Sequence, residues 1–368
     1  MLTPAAYGLG LALVVIAGWT VANFLPARAH ASDYSQVYVA ARAQIQGRDA
    51  YALDLRRYAQ EQGLEFTELL AQATNPPLLM RCLRPLGGLT VAGAFRVFVG
   101  IEIISLLAVF AASIALLGPA LPRAGWALAA GLVCCSMPVF MHFWFSQVQL
   151  SLLALALAGV LALRRGWPWL ACVLLTLVAV LKLYPVPLAL LPALNARGRQ
   201  RWTLLGWTAA CIAGWVIVPG VAAWISFYEH ATPFLRLMAG GQHYNFTVAS
   251  LVMALTGWVP LAGFCSAAVI GLAWWRCARH EPDSDASLGL LLVATVMCSM
   301  VAWVHYLVWL IVPVGLLAGQ RRWGLLVVAL VCFNLAGSNP LDAPKLLNAS
   351  VPLFVMAWLY GRFSCAIK

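Results

Sequence analysis

Long apolar runs, separated by short polar stretches, constrain this chain more than any other feature. Most runs have about 16 to 25 residues, and a helix of about 20 residues spans the ~30 Å hydrocarbon core of a bilayer. Charged residues make up only 10% of the 368 residues, against roughly 25% in soluble proteins. Inside lipid the backbone must satisfy its own hydrogen bonds, as a helix does. The sequence therefore predicts an all-α polytopic membrane protein with about 12 membrane helices, all in one domain, 1–368.

The twelve predicted segments differ in length, and two of them need comment. The sixth is short and bounded by prolines, which favours a half-helix or a re-entrant segment that lines a cavity. The first precedes Ala29-His30-Ala31, which resembles a signal-peptidase site, but its length and the lack of Lys or Arg in residues 1–8 favour an uncleaved helix. The segments are 5–26, 93–117, 124–141, 148–163, 167–183, 185–195, 202–225, 259–275, 287–302, 306–319, 323–337 and 346–361.

Arginines orient the predicted bundle. With a cytoplasmic N-terminus, every predicted inner loop contains arginine, as the positive-inside rule requires. These loops contain Arg123, Arg164-Arg165, Arg197 with Arg199 and Arg201, Arg276 with Arg279, and Arg321-Arg322. We therefore predict a multi-pass membrane protein whose polar working face is extracytoplasmic.

The first outer loop, residues 27–92, is the largest part predicted to lie outside the membrane. It contains seven arginines but also six acids, and loops of this length translocate largely regardless of charge. Its stretches 35–46, 53–62 and 66–73 are rich in Ala, Gln and Arg. We expect them to form short amphipathic helices on the membrane surface.

Composition and motifs exclude several other classes of protein. The formal net charge of +11 is explained by the arginine loops, so the membrane lipid bilayer is the expected partner and nucleic acid is not. The cysteines are scattered without CxxC or Cys/His spacing, which predicts no metal site. HExxH, GxGxxG, P-loop and GxSxG motifs are absent, so metalloprotease, nucleotide-hydrolysing and serine-hydrolase chemistry have no support.

Three residues stand out as candidates for chemistry at the outer face. Asp33 follows the first segment and suits a general base, although it could equally cap a surface helix. Lys182 closes an apolar run with no acid nearby in sequence, so it suits a phosphate partner, unless it snorkels to the headgroups. His305 lies between two apolar segments and could donate to a phosphate oxygen or occupy an interfacial turn.

Weaker candidates are single polar groups at predicted outer helix ends. Glu102 is the only acid well inside an apolar run, and the sequence permits either a buried functional carboxylate or a position near the end of its helix. The other residues are Asn75, Gln147, Gln149, Asn245 with Thr247, and Asp342.

Five elements, in this order along residues 30–320, resemble glycosyltransferase family 87, the bacterial polyprenol-phosphate-sugar-dependent glycosyltransferases. They are Asp33 followed by Tyr38, Ala40-Ala41, Gly47 and Tyr51; Asn75-Pro76-Pro77-Leu78 followed by Arg84-Pro85-Leu86; Ser146-Gln147-Val148-Gln149; Lys182-Leu183-Tyr184-Pro185; and Trp303-Val304-His305-Tyr306. Some positions depart from the pattern: Ser146 replaces the usual glycine, Leu183 a proline and Tyr306 a second histidine, and Asn245-Phe246-Thr247 replaces Asn-Gln-Ser.

The resemblance implies a C-type glycosyltransferase (GT-C) fold and a reaction without cofactor or metal. The donor would be a polyprenyl-phosphate sugar, with mannose favoured and a pentose such as arabinose as the alternative, and the acceptor a hydroxyl of a lipid or glycan. The setting would be the bacterial cytoplasmic (inner) membrane. By analogy Asp33 is the general base, Lys182 and His305 bind the departing phosphate, and Gln147 positions the sugar. The remaining expected substrate-binding residues are Tyr38, Asn75 and Asn245.

Two other readings explain the same hydrophobicity. A secondary transporter or flippase of lipid-linked sugars would have inverted repeats and polar residues near mid-bilayer, and we detect no such repeat. A non-catalytic scaffold of an envelope complex would keep its function after Asp33→Asn or Lys182→Ala.

Overall fold

In the computed structural model, the regular elements are helices. The structure describes residues 4–30, 33–66, 69–117, 123–241, 245, 247–279, 284–299, 302–319 and 345–366, and no strand occurs among them. The α-helices are α1 (Pro4–Arg28), α2 (Asp33–Ile45), α3 (Leu55–Glu61), α4 (Pro77–Leu83), α5 (Val91–Leu117), α6 (Arg123–Cys134), α7 (Met137–Trp144), α8 (Gln149–Arg164), α9 (Pro168–Lys182), α10 (Val186–Ala189), α11 (Leu191–Asn195), α12 (Gly198–Ile217), α13 (Val221–Ser226), α14 (Thr232–Gly241), α15 (Val248–Thr256), α16 (Val259–Arg279), α17 (Asp285–Met297), α18 (Ile311–Gly319) and α19 (Lys345–Ala366). Short 3-10 helices cover Arg84–Gly88 and Val304–Leu310, and Phe227–Ala231 is a π-helical turn.

Several helices are long and apolar enough to cross a membrane, so the chain is a multi-pass membrane protein. Within the described residues three do so alone, in Tyr7–Phe24, Val91–Leu116 and Val259–Arg279, and two bent pairs raise the number to five. Other predicted segments form apolar helices of 10–17 residues, α8 and α9 among them. The count of about 12 stays a prediction, and segment 323–337, the Arg321-Arg322 loop and Asp342 lie outside the described residues.

Two predicted segments, 124–141 and 202–225, are broken rather than continuous, so the single-helix prediction was wrong for both. Helices α6 and α7 meet at 47°, and a bend of 86° follows α12. The second break contains Pro219, which has no backbone N–H to donate. Gly220 completes it with φ +92°, a conformation that glycine adopts without a Cβ clash.

The first outer loop is more buried than the sequence predicts. Helices α2 and α3 confirm the predicted helices at 35–46 and 53–62, whereas residues 69–73 are not helical. The expectation of an amphipathic surface helix was wrong for α2, because residues 34–41 are all buried. The 3-10 helix at Arg84–Gly88 covers α2 so closely that a Cβ on Gly87 would lie 2.5 Å from the Ala41 carbonyl carbon.

The candidate site residues and the arginine turn lie at opposite ends of the helix bundle. Helices α8 and α9 form an antiparallel hairpin whose short turn contains Arg165, while α8 begins and α9 ends at the opposite end. Helix α5 begins at that opposite end, where the Tyr34 hydroxyl donates to the carbonyl of Val91 (3.3 Å). Its other end receives the Arg164 guanidinium, which donates to the carbonyl of Leu116 (3.2 Å). Gln147 and Lys182 therefore lie at the end away from these arginines.

Candidate active site

One cavity of about 520 Å³ brings five of the predicted site residues together. It lies at the bundle end away from Arg164 and Arg165, and its walls come from parts of the chain that are far apart in sequence. The five residues are Asp33, Asn75, Gln147, Lys182 and His305. Aromatic side chains, among them Tyr184, Trp224, Trp303 and Tyr306, complete the lining. A concave cavity where polar groups converge between aromatic side chains is typical of a small-molecule site.

Asp33 is held by an amide from a distant part of the chain. The Gln147 Nε2 donates to Asp33 Oδ2 over 2.6 Å. Asp33 is the first residue of α2, and Gln147 follows Ser146, a non-glycine residue with φ +50°. That conformation is strained, and such strain concentrates at functional sites. The bond fixes one carboxylate oxygen, as the orientation of a general base requires.

Lys182, at the end of α9, is anchored by Asn75. Its Nζ donates to Asn75 Oδ1, and the main-chain carbonyl of Asn75 accepts from the Tyr51 hydroxyl over 2.6 Å. Burial, and then the charge of Asp49, raise the pKa of Tyr51, so this hydroxyl keeps its proton at neutral pH. The Asn75 amide is neutral, so it fixes the ammonium without cancelling its charge. The charge stays available to an anionic ligand.

The chain reverses sharply directly after Lys182. Leu183 has φ +63° and ψ −36°, and the N–H of Tyr184 donates to the carbonyl of Lys182 over 2.8 Å. This is a γ-turn with positive φ, a rare and strained form. The two non-glycine residues with positive φ in the described part of the chain, Ser146 and Leu183, thus adjoin Gln147 and Lys182.

His305 lies in the 3-10 helix and is 1% exposed. Its ring contacts those of Phe145, Trp303 and Tyr306 at centroid distances of 5.7, 5.7 and 4.8 Å. Its Nδ1 is buried without a hydrogen-bond partner among the described residues. The ring is therefore fixed by packing, and it faces the same cavity as Lys182.

Comparison with known proteins identifies the family of this chain. The family model of glycosyltransferase family 87 matches residues 73–304, more than half of the chain. The chain belongs to glycosyltransferase family 87. The match includes Asn75, Gln147 and Lys182, whereas Asp33 precedes it and His305 is the first residue beyond it.

Two curated relatives of this family member are named as mannosyltransferases. This chain is 28% identical to the polyprenol-phosphate-mannose-dependent alpha-(1-2)-phosphatidylinositol mannoside mannosyltransferase of Mycobacterium tuberculosis. The match covers 215 residues, which are 54% of this chain and 48% of the relative. The chain is 27% identical over 246 residues, 61% of this chain and 55% of the relative, to the polyprenol-phosphate-mannose-dependent alpha-(1-2)-phosphatidylinositol pentamannoside mannosyltransferase of Mycolicibacterium smegmatis. The matched parts span about half the length of these relatives.

Two predicted substrate-binding residues of this family 87 member do not line the cavity. The Tyr38 hydroxyl donates to the carbonyl of Leu89 (2.8 Å), which ties α2 to the start of α5. Asn245 Oδ1 accepts from the N–H of Ala302 (2.8 Å), in the segment that leads to His305. Both side chains are 1% exposed. They support the elements that carry Asp33 and His305.

Gln149, a weak candidate from the sequence, organises the aromatic wall. It is fully buried on α8. Its Oε1 accepts from the Tyr184 hydroxyl and from the Trp309 indole N–H, the latter over 3.2 Å. The Tyr184 ring in turn contacts those of Tyr306 and Trp309 at 5.1 and 5.6 Å. In the sequence, Gln149 stands out only because it lies two residues after Gln147. Of these two side chains, only that of Gln147 lines the cavity.

Glu102, which the sequence left undecided, is a buried carboxylate. It is 2% exposed and lies 3.1 Å from Nε2 of His142, whose side chain is fully buried. It also accepts from the N–H of Ser151 (3.2 Å) and from the hydroxyl of Ser151. His142 and Ser151 flank Gln147 in sequence, so Glu102 fastens the segment that carries it. The described residues contain no group of three or more His, Cys, Asp or Glu that could hold a metal ion.

Proposed function

We propose that this protein is a membrane glycosyltransferase that moves mannose from a polyprenyl-phosphate donor to an acceptor hydroxyl. The observation that carries the proposal is the joint lining of one cavity by Asp33, Lys182 and His305. The donor class follows the printed names of the two relatives, which specify polyprenol-phosphate mannose. The acceptor is a hydroxyl of a lipid or glycan.

The proposed reaction assigns proton removal to Asp33 and binding of the leaving phosphate to Lys182 and His305. Asp33, oriented by Gln147, removes the proton of the acceptor hydroxyl as its oxygen attacks the anomeric carbon. The bond from that carbon to the lipid phosphate breaks, and negative charge develops on the departing phosphate. Fixed donors at this point lower the barrier, which is the role of Lys182 and His305. These residues perform the reaction without a metal or cofactor.

The proposal includes the setting of the site. A lipid donor reaches the cavity from the bilayer, and the helical architecture is that of a GT-C fold. The arginine turn of α8 and α9 lies at the far end of the bundle, and the positive-inside rule assigns that end to the cytoplasm. We therefore propose a multi-pass protein of the bacterial inner membrane with its cavity on the extracytoplasmic side.

The deciding experiment is transfer by the purified protein in nanodiscs. Polyprenyl-phosphate mannose with a radiolabelled sugar is supplied together with a phosphatidylinositol mannoside, and lipid product is counted. Asp33→Asn keeps the shape of the side chain but cannot take the proton, so we expect at least a 100-fold slower transfer with donor affinity retained. The matched control is Asp49→Asn, because Asp49 is also a hydrogen-bonded acid of the first outer loop but lies outside the cavity.

Each outcome has a defined meaning. Undiminished transfer by Asp33→Asn would refute the assignment of the base while leaving the reaction class intact. Equal losses in Asp33→Asn and Asp49→Asn would reduce the role of Asp33 to folding. Failure of the wild type to transfer from any lipid-phosphate sugar would favour the transporter or flippase.

A further inference from the structure

An apolar groove lies outside the cavity that contains the candidate site residues. Its volume is about 750 Å³, and its lining shares no residue with that cavity. Helix α1 packs so closely on α6 that a Cβ on Gly10 would lie 2.3 Å from the carbonyl oxygen of Ala127, whereas α5 packs against α8. The gap that these two helix pairs leave between α1 and α5 is the α1–α5 groove, and α7 forms its floor.

The α1–α5 groove is recessed and long. Three of the side chains that line it are buried, those of Phe95, Val139 and Phe143, so a molecule in the groove contacts the interior of the bundle. From Arg96 to Phe110 the lining on α5 extends about 21 Å, at ~1.5 Å per residue. One leaflet contributes about 15 Å to the ~30 Å hydrocarbon core, so the groove accommodates one lipid chain along its length.

A single cation lies at one end of this apolar lining. Among the described residues that form the α1–α5 groove, Arg96 alone is charged. It follows the start of α5, at the bundle end where the candidate site residues lie. Its side chain is exposed and has no hydrogen bond or ion pair within the described part of the chain. The planar guanidinium is therefore available to bind a phosphate through paired N–H groups.

We propose that the α1–α5 groove is a binding site for one anionic phospholipid that is not a substrate. One acyl chain fills the apolar groove, and the lipid phosphate binds Arg96 at the level of the head groups. Burial of apolar surface holds the chain, and the charge of Arg96 selects the head group. An anionic head group is favoured because it contains no cation of its own that competes with Arg96 for the phosphate.

Helix α5 separates this lipid from the donor. Phe98 lines the cavity with Asp33, whereas Phe95 lines the α1–α5 groove. The Tyr34 ring packs against both, at centroid distances of 5.5 and 5.0 Å, so the wall between the two spaces is filled. A donor with its sugar in the cavity could not place its chain in the groove without crossing this wall. The bound acyl chain instead packs on Phe95, which supports Tyr34 beside Asp33.

Native mass spectrometry of the full-length protein, released from detergent micelles, tests the site without any need for transfer activity. Phosphatidylglycerol and phosphatidylcholine with the same acyl chains are the two probes. We expect the wild type to bind the first molecule of phosphatidylglycerol about tenfold more tightly than phosphatidylcholine. Arg96→Gln should remove this preference, because a charge-assisted hydrogen bond is lost. Gly100→Leu should weaken binding of both lipids about tenfold, since a Cβ on Gly100 points into open space in the groove lining.

Two matched variants control for general effects on charge and surface. Arg81, on α4, is another exposed arginine, and Gly263, on α16, is another helical glycine whose Cβ would meet nothing within 4 Å. Neither lines the α1–α5 groove. Arg81→Gln and Gly263→Leu should leave both affinities unchanged. Losses as large as those of Arg96→Gln and Gly100→Leu, or equal affinity of the wild type for the two lipids, would overturn the proposal.

A competition experiment decides between a phospholipid and the donor chain. Polyprenyl phosphate is added to the protein that has bound one phosphatidylglycerol. We expect a complex that contains one molecule of each lipid, because the groove and the cavity share no lining residue. Displacement of phosphatidylglycerol from the wild type, with no complex that contains both lipids, would assign the α1–α5 groove to the donor chain and overturn the proposal.

Discussion

At the scale of single residues, the candidate base depends on a neighbour that is distant in sequence. Gln147 donates to Oδ2 of Asp33 (2.6 Å), and this bond orients the carboxylate that would receive the acceptor proton. No pattern around Asp33 predicts this partner, because a contact between residues so far apart depends on the packing of α2 against the α7–α8 turn. The sequence suggested Gln147 only as a residue that positions the sugar.

Removal of that amide should therefore slow the chemical step. We expect Gln147→Ala to lower kcat about tenfold, since a hydrogen bond to a charged group contributes roughly 1.5–3 kcal/mol, while the donor KM stays near the wild-type value. Gln147→Glu should lower kcat further, because a second carboxylate repels Asp33. Steady-state transfer in nanodiscs measures both variants. A rise in donor KM with unchanged kcat would assign Gln147 to sugar binding instead.

The buried Glu102 allows a prediction about stability. Glu102→Gln keeps a hydrogen-bond acceptor for Ser151 and should lower the free energy of unfolding by only about 1 kcal/mol. Glu102→Leu leaves the N–H of Ser151 and the ring of His142 unpaired, so we expect a loss of about 3 kcal/mol. Unfolding in mixed micelles, followed by tryptophan fluorescence, gives both values. A leucine variant as stable as the glutamine variant would show that these contacts contribute little.

At the scale of the helices, the apolar runs predict where a helix lies better than they predict whether it is continuous. The predicted starts and ends of five helices agree with the structure within a few residues: α1, α5, α8, α9 and α16. The agreement follows because a single apolar segment in lipid can satisfy its backbone hydrogen bonds only as a helix. The breaks after α6 and α12 were missed. Hydrophobicity does not fall at Pro138 or Pro219, so a search for apolar runs passes through both.

The strained turn before α8 predicts opposite effects for two similar serines. Ser146 and Ser136 are both buried, and each donates its hydroxyl to a carbonyl three residues earlier. Ser146 has φ +50° whereas Ser136 has φ −74°. Ser146→Gly relieves strain and should raise the free energy of unfolding by about 0.5 kcal/mol, while Ser136→Gly should lower it by about 1 kcal/mol. Destabilisation of both by the same amount would show that Ser146 is not strained.

At the scale of the whole molecule, the site depends on how separate segments meet. The ordered motifs identified Asn75, Lys182 and His305 singly, but their common cavity follows from the hairpin of α8 and α9 and from the burial of α2 beneath residues 84–88.

The separation of site and arginines predicts which reagents reach each end. Cys82, exposed on α4, lies at the cavity end, and Arg165 lies at the other end. In spheroplasts, a membrane-impermeant maleimide should label Cys82 without permeabilisation, and Cys82→Ser should abolish this signal. In that background, the thiol introduced by Arg165→Cys should react only after the membrane is opened, since the positive-inside rule assigns this turn to the cytoplasm. The reverse pattern would place the cavity on the cytoplasmic side, where a donor exposed to the exterior could not enter it.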